Sequence, residues 1–281
     1  MQTFNSIAPL TKSIITYRAE GKTIGFVPTM GALHEGHLSL IRACKQSNDI
    51  TVASIYVNPT QFNDTNDLKN YPRNKEKDCL LLSHEACDIV FTPTDKEMYP
   101  EPDRRVFEFG HMGSVMEGKH RPGHFNGVAQ VVTKLFDAVK PHRAYFGQKD
   151  FQQLAIVRKL VNDLNYPIEI IGCPIIREPD GLAMSSRNKL LTADQRKAAP
   201  LIYKTLTEVK KRIKNEPPEA VGKYVESTIN SSPFLELEYF QLVATNTMLP
   251  VKKNIPEIPV TACIAVFSGS VRLIDNVDII L

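Results

Sequence analysis

Apolar residues in the first part of the chain change repeatedly between short continuous runs and the three-and-four spacing of amphipathic helices. The runs that we predict as buried strands are Thr23–Thr29, Ile50–Val57, Asp88–Thr92, Ala144–Gly147 and Ile168–Ile176. The predicted helices between them are His37–Ser47, Asn74–Cys87, Gly127–Val139 and Phe151–Leu164. Because strands and helices alternate, we expect an α/β fold, a Rossmann-like doubly wound parallel sheet with helices on both faces.

The pattern changes after Leu190, where charged residues become frequent within long helical periods. One helix is predicted over Thr192–Ile213 with Thr192 as its N-cap, and a second over Glu219–Ile229. The strands predicted to follow are Leu235–Val243, Val260–Phe267 and Val271–Ile274, with the Pro-rich stretch Pro250–Pro259 between the first two. We therefore divide the chain into a Rossmann-like domain, residues 1–180, and a smaller α+β lid domain, residues 181–281.

Composition narrows the possible partners. Lys and Arg total 34 against 31 Asp and Glu, a net charge of +3, which is too balanced to predict nucleic-acid or membrane binding. Five scattered cysteines without a C-x-x-C pair favour free thiols over a disulfide framework or a zinc site. No signal peptide and no apolar run of about 18 residues is visible, so we expect a cytoplasmic protein.

The strongest chemical signal is the string PTMGALHEGH, Pro28–His37, between the first predicted strand and the first predicted helix. In open α/β sheets this turn lies at the carboxyl end of a strand, and a helix N-terminus suits a phosphate. Gly31 and Gly36 allow close backbone approach, while His34 and His37 supply donors for a leaving phosphate oxygen. The competing interpretations are structural histidines or a metal pair, but helical metal pairs usually sit at i and i+4 and no third ligand is evident.

Other polar residues also follow predicted strands. In the loop Arg177–Asn188, Ser185, Ser186 and Arg187 follow a Gly turn and can close over a triphosphate, although a solvated linker has the same composition. The Lys149 turn opens the helix at Phe151 and fits phosphate binding. The amides of Asn58 and Gln61 can bind hydroxyl and carboxylate groups without adding charge, although such a turn is often only structural.

These motifs resemble a known family. The H-x-G-H string with a downstream M-S-S-R loop resembles the paired motifs of the nucleotidyltransferase superfamily. The strings PTMGALHEGH, YVNPTQF, RPGHF, FGQKDFQQ and DGLAMSSRN resemble the pantothenate synthetase family and span residues 28–188. The resemblance implies a carbon–nitrogen ligase that condenses (R)-pantoate with β-alanine through a pantoyl adenylate. ATP would be consumed with release of AMP and pyrophosphate, and the enzyme would be a homodimer.

The resemblance also implies residue roles. The catalytic residues would be His37, His34, Lys149 and Arg187, with His37 as the family's proton donor. The ATP-binding residues would be Met30, Gly31, Ala32, Leu33, His34, Glu35, Gly36, His37, Gly147, Gln148, Lys149, Asp150, Ile176, Met184, Ser185, Ser186 and Arg187. Gln61 would contact pantoate and β-alanine, Gln153 would contact pantoate, and Asn58 would complete the substrate site. The chain departs from the family at Gln148, which is often Glu, and at Asn126, which is frequently Arg.

No carboxylate cluster resembles a metal cage, so Mg²⁺ is expected to arrive on the ATP phosphates and not at a site of its own. Two other classes remain open: a nucleotidyltransferase that moves AMP or CMP onto a phosphate, and a nucleotide sensor without turnover. The neutral pair Asn58 and Gln61 favours a small hydroxy acid over a phosphorylated acceptor. The segment from Lys69 to Arg73, with Tyr71, is either part of the amine site or a plain surface loop.

Overall fold

The structure, a computed structural model, describes residues 1–251 and 258–279. The chain forms two compact units, each with its own core. The first comprises residues 1–148 and 152–174, and the second comprises Lys149–Phe151 together with the described residues from Ile175 onward. The middle of the predicted Pro-rich stretch, residues 252–257, lies outside the described residues.

A parallel sheet is the centre of the first unit, as predicted, but it has six strands, because the edge strand Gln2–Phe4 was not among the five predicted ones. The strands are β1 (Gln2–Phe4), β2 (Ile24–Thr29), β3 (Ile50–Ile55), β4 (Ile89–Phe91), β5 (Arg143–Gly147) and β6 (Glu169–Cys173). Their order in the sheet is β1-β4-β3-β2-β5-β6, and every neighbouring pair is parallel. The strand order reverses at β2, which pairs with β3 on one side and with β5 on the other. Ligands bind at such a reversal in doubly wound sheets, just beyond the carboxyl ends of the strands.

Helices enclose this sheet. They are α1 (Ile7–Ala19), α2 (Glu35–Ser47), α3 (Thr65–Asn70), α4 (Lys75–His84), α5 (Asp95–Met98), α6 (Met116–His120), α7 (His124–Val139) and α8 (Phe151–Asp163). The helix α7 is buried along most of its length, and its Phe136 packs edge-on against Phe26 of β2 at 6.4 Å between ring centroids. Its apolar residues recur at the three-and-four spacing of an amphipathic helix, which is why most of its extent was predicted.

The second unit joins three helices to a small antiparallel sheet. These elements are α9 (Ala193–Ala198), α10 (Leu201–Arg212), α11 (Pro218–Asn230), β7 (Glu236–Ala244), β8 (Val260–Ser268) and β9 (Val271–Ile279). The sheet order is β7-β8-β9. Buried residues such as Leu206, Val225 and Ile264 form the core between the helices and the sheet. The predicted smaller α+β fold is therefore confirmed.

Three element predictions were wrong in detail. The single helix predicted over Thr192–Ile213 is two helices, because Pro200 has no N–H to continue the hydrogen-bond ladder. The helix predicted to open at His37 begins at Glu35, since His34 caps it. The last strand, predicted to end at Ile274, extends to Ile279 because it pairs with β8 along its whole length, with the polar residues Asp275 and Asn276 buried.

The longer segment of the second unit begins at Ile175, ahead of the predicted boundary after residue 180. The cause is Arg177, which forms a β-bridge to Ala183 and a bidentate ion pair with Asp275 of β9. Residues 175–180 therefore pack with the C-terminal sheet.

Within the described residues, no helix is both long and apolar enough to cross a membrane. None of the five cysteines is in a disulfide within the described residues. Burial raises the pKa of the Cys44 thiol to about 12, so that thiol stays protonated near neutral pH.

Candidate active site

The turn after β2 has a fixed backbone shape. Gly31 and Ala32 both adopt left-handed conformations, with φ of 81° and 50°. The buried carboxylate of Asp78, on α4, accepts hydrogen bonds from the backbone N–H groups of Ala32 and Leu33, both at 2.8 Å. A side chain at Gly31 would meet Asp78 Oδ2 at 2.9 Å, so this position requires glycine for conformation and for space. Sequence reasoning missed Asp78, because nothing local marks an acidic residue in a distant helix as the partner of this turn.

A second contact fixes the turn from the strand side. Thr29 Oγ1 donates to the carbonyl oxygen of Ser54 at 2.7 Å and accepts from the N–H of Gly31 at 3.1 Å. The turn is thus tied to both β3 and α4 before any ligand binds, which favours a preformed site.

The two histidines of the motif lie side by side at the N-terminus of α2. His34 is the N-cap, and its Nδ1 accepts from the N–H of Gly36 at 3.1 Å. The two imidazole centroids are 4.1 Å apart. Because a backbone N–H only donates, Nδ1 of His34 is unprotonated and its neutral ring carries the proton on Nε2. The pair therefore presents imidazoles at the positive end of a helix dipole.

Glu35 is placed differently from its motif neighbours. Its carboxylate pairs with the exposed Arg42, which also binds Glu85. The hydrogen bond from Arg42 lowers the pKa of Glu35. The Glu35 side chain is thus occupied by an ion pair.

The structure brings Asn58 and Gln61 together with Met30. A short 3₁₀ turn, Pro59–Gln61, follows β3, and both amide side chains are buried. Asn58 Nδ2 donates to Gln61 Oε1 at 3.2 Å, and Gln61 Nε2 donates to Met30 Sδ at 3.0 Å. The first motif and the amide pair therefore form one continuous group of contacts within the first unit.

Two residues that were not predicted as site residues support this group of contacts by hydrogen bonds to Asn58 and Gln61. The hydroxyl of Tyr99 donates to Asn58 Oδ1 at 2.8 Å, and Nδ1 of His124 donates to the backbone oxygen of Gln61 at 2.8 Å. The histidine of the RPGHF string is therefore a support for the Pro59–Gln61 turn. Tyr99 had no detectable signal, since it lies at the end of a short helix without a motif of its own.

The adjacent glutamines of α8 differ in their environment. Gln152 is buried and bonds the backbone of the preceding loop: it accepts from the N–H of Glu117 at 2.9 Å and donates to the carbonyls of Met112 and Val115. Gln153 is half-buried, and within the part of the chain that the structure describes no group hydrogen-bonds to its side chain. The predicted substrate contact, Gln153, is thus the glutamine whose amide is available.

The remaining predicted ATP residues lie on two segments. Gly147 ends β5, and Gln148–Asp150 forms a 3₁₀ turn before α8. In the second unit, a small pocket is lined by Lys149, Ser185 and Asn188 together with Asp275. Two sequence-distant predicted residues, Lys149 and Ser185, therefore face one pocket.

The Arg177–Asn188 loop has its own internal bonds. The carbonyl oxygen of Ile176 accepts from the N–H of Met184 at 3.0 Å, and Ser185 Oγ accepts from the N–H of Arg187 at 3.2 Å. Ser185 in this way caps the 3₁₀ turn Ser186–Leu190. The loop is a folded structure, which argues against the solvated linker considered above.

The base of that loop rests on a buried ion pair. Arg177 binds Asp275 through both nitrogens, at 2.6 and 2.9 Å, and its guanidinium lies 3.7 Å over the Tyr203 ring. The next residue of β9, Asn276, donates from Nδ2 to the carbonyl oxygen of Lys149 at 3.0 Å. Asp275 and Asn276, which are neighbours in β9, therefore contact the start of the Arg177–Asn188 loop and the turn that contains Lys149.

Across residues 1–251 and 258–279, no group of three or more His, Cys, Asp or Glu side chains is arranged to hold a metal ion.

Comparison with known proteins supplies the family. The family model described as pantoate-beta-alanine ligase matches residues 2–278. The pantothenate synthetase of Porphyromonas gingivalis is 52% identical over 277 residues, 99% of either chain. That of Bacteroides thetaiotaomicron is 50% identical, covering 99% of this chain and 98% of the relative.

Solved structures agree with this assignment. The fold matches a crystal structure of pantothenate synthetase from Thermus thermophilus, with a TM-score of 0.93, 39% identity and full coverage of both chains. It also matches pantoate-beta-alanine ligase from Francisella tularensis complexed with beta-gamma ATP and beta-alanine, with a TM-score of 0.82, 37% identity and coverage of 99% and 97%. The chain belongs to the pantoate–β-alanine ligase family.

Proposed function

We propose that the chain condenses (R)-pantoate with β-alanine to form pantothenate, with ATP converted to AMP and pyrophosphate. The observation that carries this proposal is the turn from Met30 to His37. The Asp78 carboxylate fixes its backbone, two histidines lie at the N-terminus of the following helix, and Met30 contacts Gln61 directly. Family membership across residues 2–278 supports the same reaction.

The first step would join pantoate to AMP. A carboxylate oxygen of pantoate attacks the α-phosphorus of ATP, and the bond from that phosphorus to the bridging oxygen of pyrophosphate breaks. Negative charge grows on the leaving pyrophosphate, where donors are worth most. We assign this stabilisation to His34, His37, Lys149 and Arg187, and proton donation to His37.

The second step would form the amide. The amine of β-alanine attacks the acyl carbon of the adenylate, the bond to the AMP oxygen breaks, and the amine loses a proton. The adenylate makes this possible because a phosphate ester leaves far more readily than an oxide. Gln61 and Gln153 are assigned to pantoate, and Gln61 also to β-alanine, since their neutral amides hold oxygen atoms without changing the charge of the site.

The remaining ATP contacts are assigned by segment. We propose that the backbone of Gly31–Gly36, the Gly147–Asp150 turn, the backbone of Ile176 and the Met184–Arg187 segment contact ATP. Mg²⁺, a hard cation, would be held chiefly by the phosphate oxygens of ATP and would neutralise their charge.

The proposal is tested by product formation. Purified protein is incubated with ATP, Mg²⁺, pantoate and β-alanine, and AMP is followed. AMP should form only when both organic substrates are present. Exchange of labelled pyrophosphate into ATP should need pantoate but not β-alanine, because this exchange requires only the first step and its reversal.

The rival classes give different results in the same assay. A nucleotidyltransferase would release pyrophosphate with a phosphorylated acceptor and leave pantoate untouched. A sensor would bind ATP without releasing AMP or pyrophosphate under any combination. Either outcome would overturn the proposal. The homodimer and the cytoplasmic location implied by the family stay predictions, testable by sedimentation and by cell fractionation.

A further inference from the structure

The side chain of Asn58 has every hydrogen-bonding position occupied by the protein. Its Oδ1 accepts from the hydroxyls of Tyr99 at 2.8 Å and Thr60 at 3.1 Å. Its Nδ2 donates to the backbone oxygen of Gly127 at 3.1 Å and to Gln61 Oε1 at 3.2 Å. An amide has two donor hydrogens and two acceptor lone pairs, so none remains for a ligand. The residue is also only 1% exposed.

These contacts fix the direction of both amides. The Gly127 oxygen is a backbone carbonyl, which accepts and never donates, so the Asn58 atom that faces it must be the NH₂ group. The same NH₂ group faces Gln61, which must therefore present Oε1 to Asn58. Gln61 consequently directs its own NH₂ group away from Asn58, towards Met30 Sδ, a weak acceptor.

The helix α7 is close enough to make this arrangement rigid. A Cβ at Gly127 would meet the backbone oxygen of Thr60 at 2.3 Å, so only glycine allows α7 to lie against the Pro59–Gln61 turn. His124 of the same helix bonds the backbone oxygen of Gln61. Side chain and backbone of Gln61 are thus both oriented from α7.

We propose that Asn58 is a positioning residue and not a substrate ligand. With Tyr99 behind it, Asn58 orients the Gln61 amide so that an N–H, and not a carbonyl oxygen, faces the substrate. The Gln61 amide is then matched to a hydroxyl or carboxylate oxygen of a small hydroxy acid and mismatched to a cationic amine. The identity of that acid as pantoate rests on the proposed function.

A double-mutant cycle tests the proposal. Asn58→Ala and Gln61→Ala should each raise the KM for pantoate about 10- to 100-fold, with the KM for ATP changed less than about threefold. In the Gln61→Ala background, Asn58→Ala should add less than about threefold, because its effect passes through Gln61. If the two effects multiply, Asn58 binds substrate itself and the proposal is wrong.

Tyr99→Phe provides the milder variant, since it removes only one hydroxyl. We expect a rise in the pantoate KM of about 3- to 10-fold, absent when Gln61 is already alanine. The matched control is Tyr166→Phe, which removes a hydroxyl bonded to Asp137 on the surface of the same unit and should leave every KM unchanged. Should Asn58→Ala fail to fold, the Tyr99–Gln61 cycle gives the same reading.

A measurement without turnover separates this proposal from the proposed function. If the wild-type protein makes no AMP with pantoate, the function is wrong while the amide arrangement can still be read by NMR of the unliganded protein. The Asn58 side-chain NH₂ should exchange with water at least about tenfold more slowly than that of Gln153, because both its hydrogens are bonded and buried. Equal exchange rates would contradict the positioning role.

Discussion

The turn Gly31–Leu33 and the loop Arg177–Asn188 are both assigned to ATP, yet they are constructed differently. The turn is fixed at its centre, where the Asp78 carboxylate bonds two consecutive backbone amides. The loop is fixed at its root, where Arg177 pairs with Asp275, and its Ser185–Arg187 segment forms a hydrogen-bonded turn of its own. Under the proposed assignment to ATP, the turn would meet the nucleotide in a preformed shape, whereas the position of the loop would depend on the ion pair at its root.

Replacing His37, at the N-terminus of the helix that follows the turn, should have the largest effect on activity. In the proposed reaction, His37→Ala should lower kcat about 10²- to 10⁴-fold, since it deletes a donor to the leaving pyrophosphate. Steady-state AMP formation measures this, with the exposed His84→Ala on α4 as control. Full activity in His37→Ala would remove that residue from the mechanism.

The root of the second loop should be the most sensitive point for stability. Arg177→Met leaves the buried carboxylate of Asp275 without its partner, and should lower the free energy of unfolding by about 3–5 kcal/mol. Urea denaturation measures the loss. Arg196→Met is the matched control, because its pair with Asp180 is exposed and is expected to contribute about 0–1 kcal/mol. Equal losses in the two variants would show that burial does not set the difference.

The centre of the first turn should respond next. Asp78→Asn keeps the size of the side chain but turns an NH₂ group towards a backbone N–H, which should cost about 1–3 kcal/mol. The KM for ATP should rise as the turn loses its shape. Glu76→Gln removes the same charge from the exposed face of the same helix and should change neither quantity. An unchanged KM for ATP in Asp78→Asn would contradict the idea of a preformed contact.

The smallest expected effect is a pH dependence confined to the first unit. His142 Nδ1 accepts from the N–H of Ile24 at 2.8 Å, at the start of the strand that carries the turn. Burial, together with Arg18 and Arg143, lowers the pKa of His142 below its usual value of 6.5. The neutral form is thus favoured by folding, so its stabilisation is present above that value and is lost as pH falls through the folded pKa.

Thermal unfolding checks this sign. Between about pH 7.5 and about pH 5, the wild-type protein should lose more stability than His142→Asn, which keeps an acceptor but does not titrate. A larger loss in the variant would reverse the assignment.

The parts of the molecule that were predictable from sequence are those with local patterns. Alternating periods predicted the parallel sheet, and the Pro28–His37 string predicted a turn between β2 and α2. Long-range partners carried no such signal. Asp78 and Tyr99 reach the site from segments with unremarkable sequences, and the polar pair Asp275 and Asn276 made the end of β9 look like a loop. The charged periodicity over Thr192–Ile213 continues through Pro200, so the pattern alone predicts one helix where the structure has two.

Strand β9 also affects the order in which parts of the enzyme fold during synthesis. Arg177 and Asp275 are separated by 98 positions, and Lys149 and Asn276 by 127. During synthesis, neither the lysine turn nor the serine–arginine loop can reach its final arrangement until β9 has left the ribosome and paired with β8. The sheet of the first unit needs no such wait, so competence for nucleotide chemistry should appear late, after most of the chain has already folded.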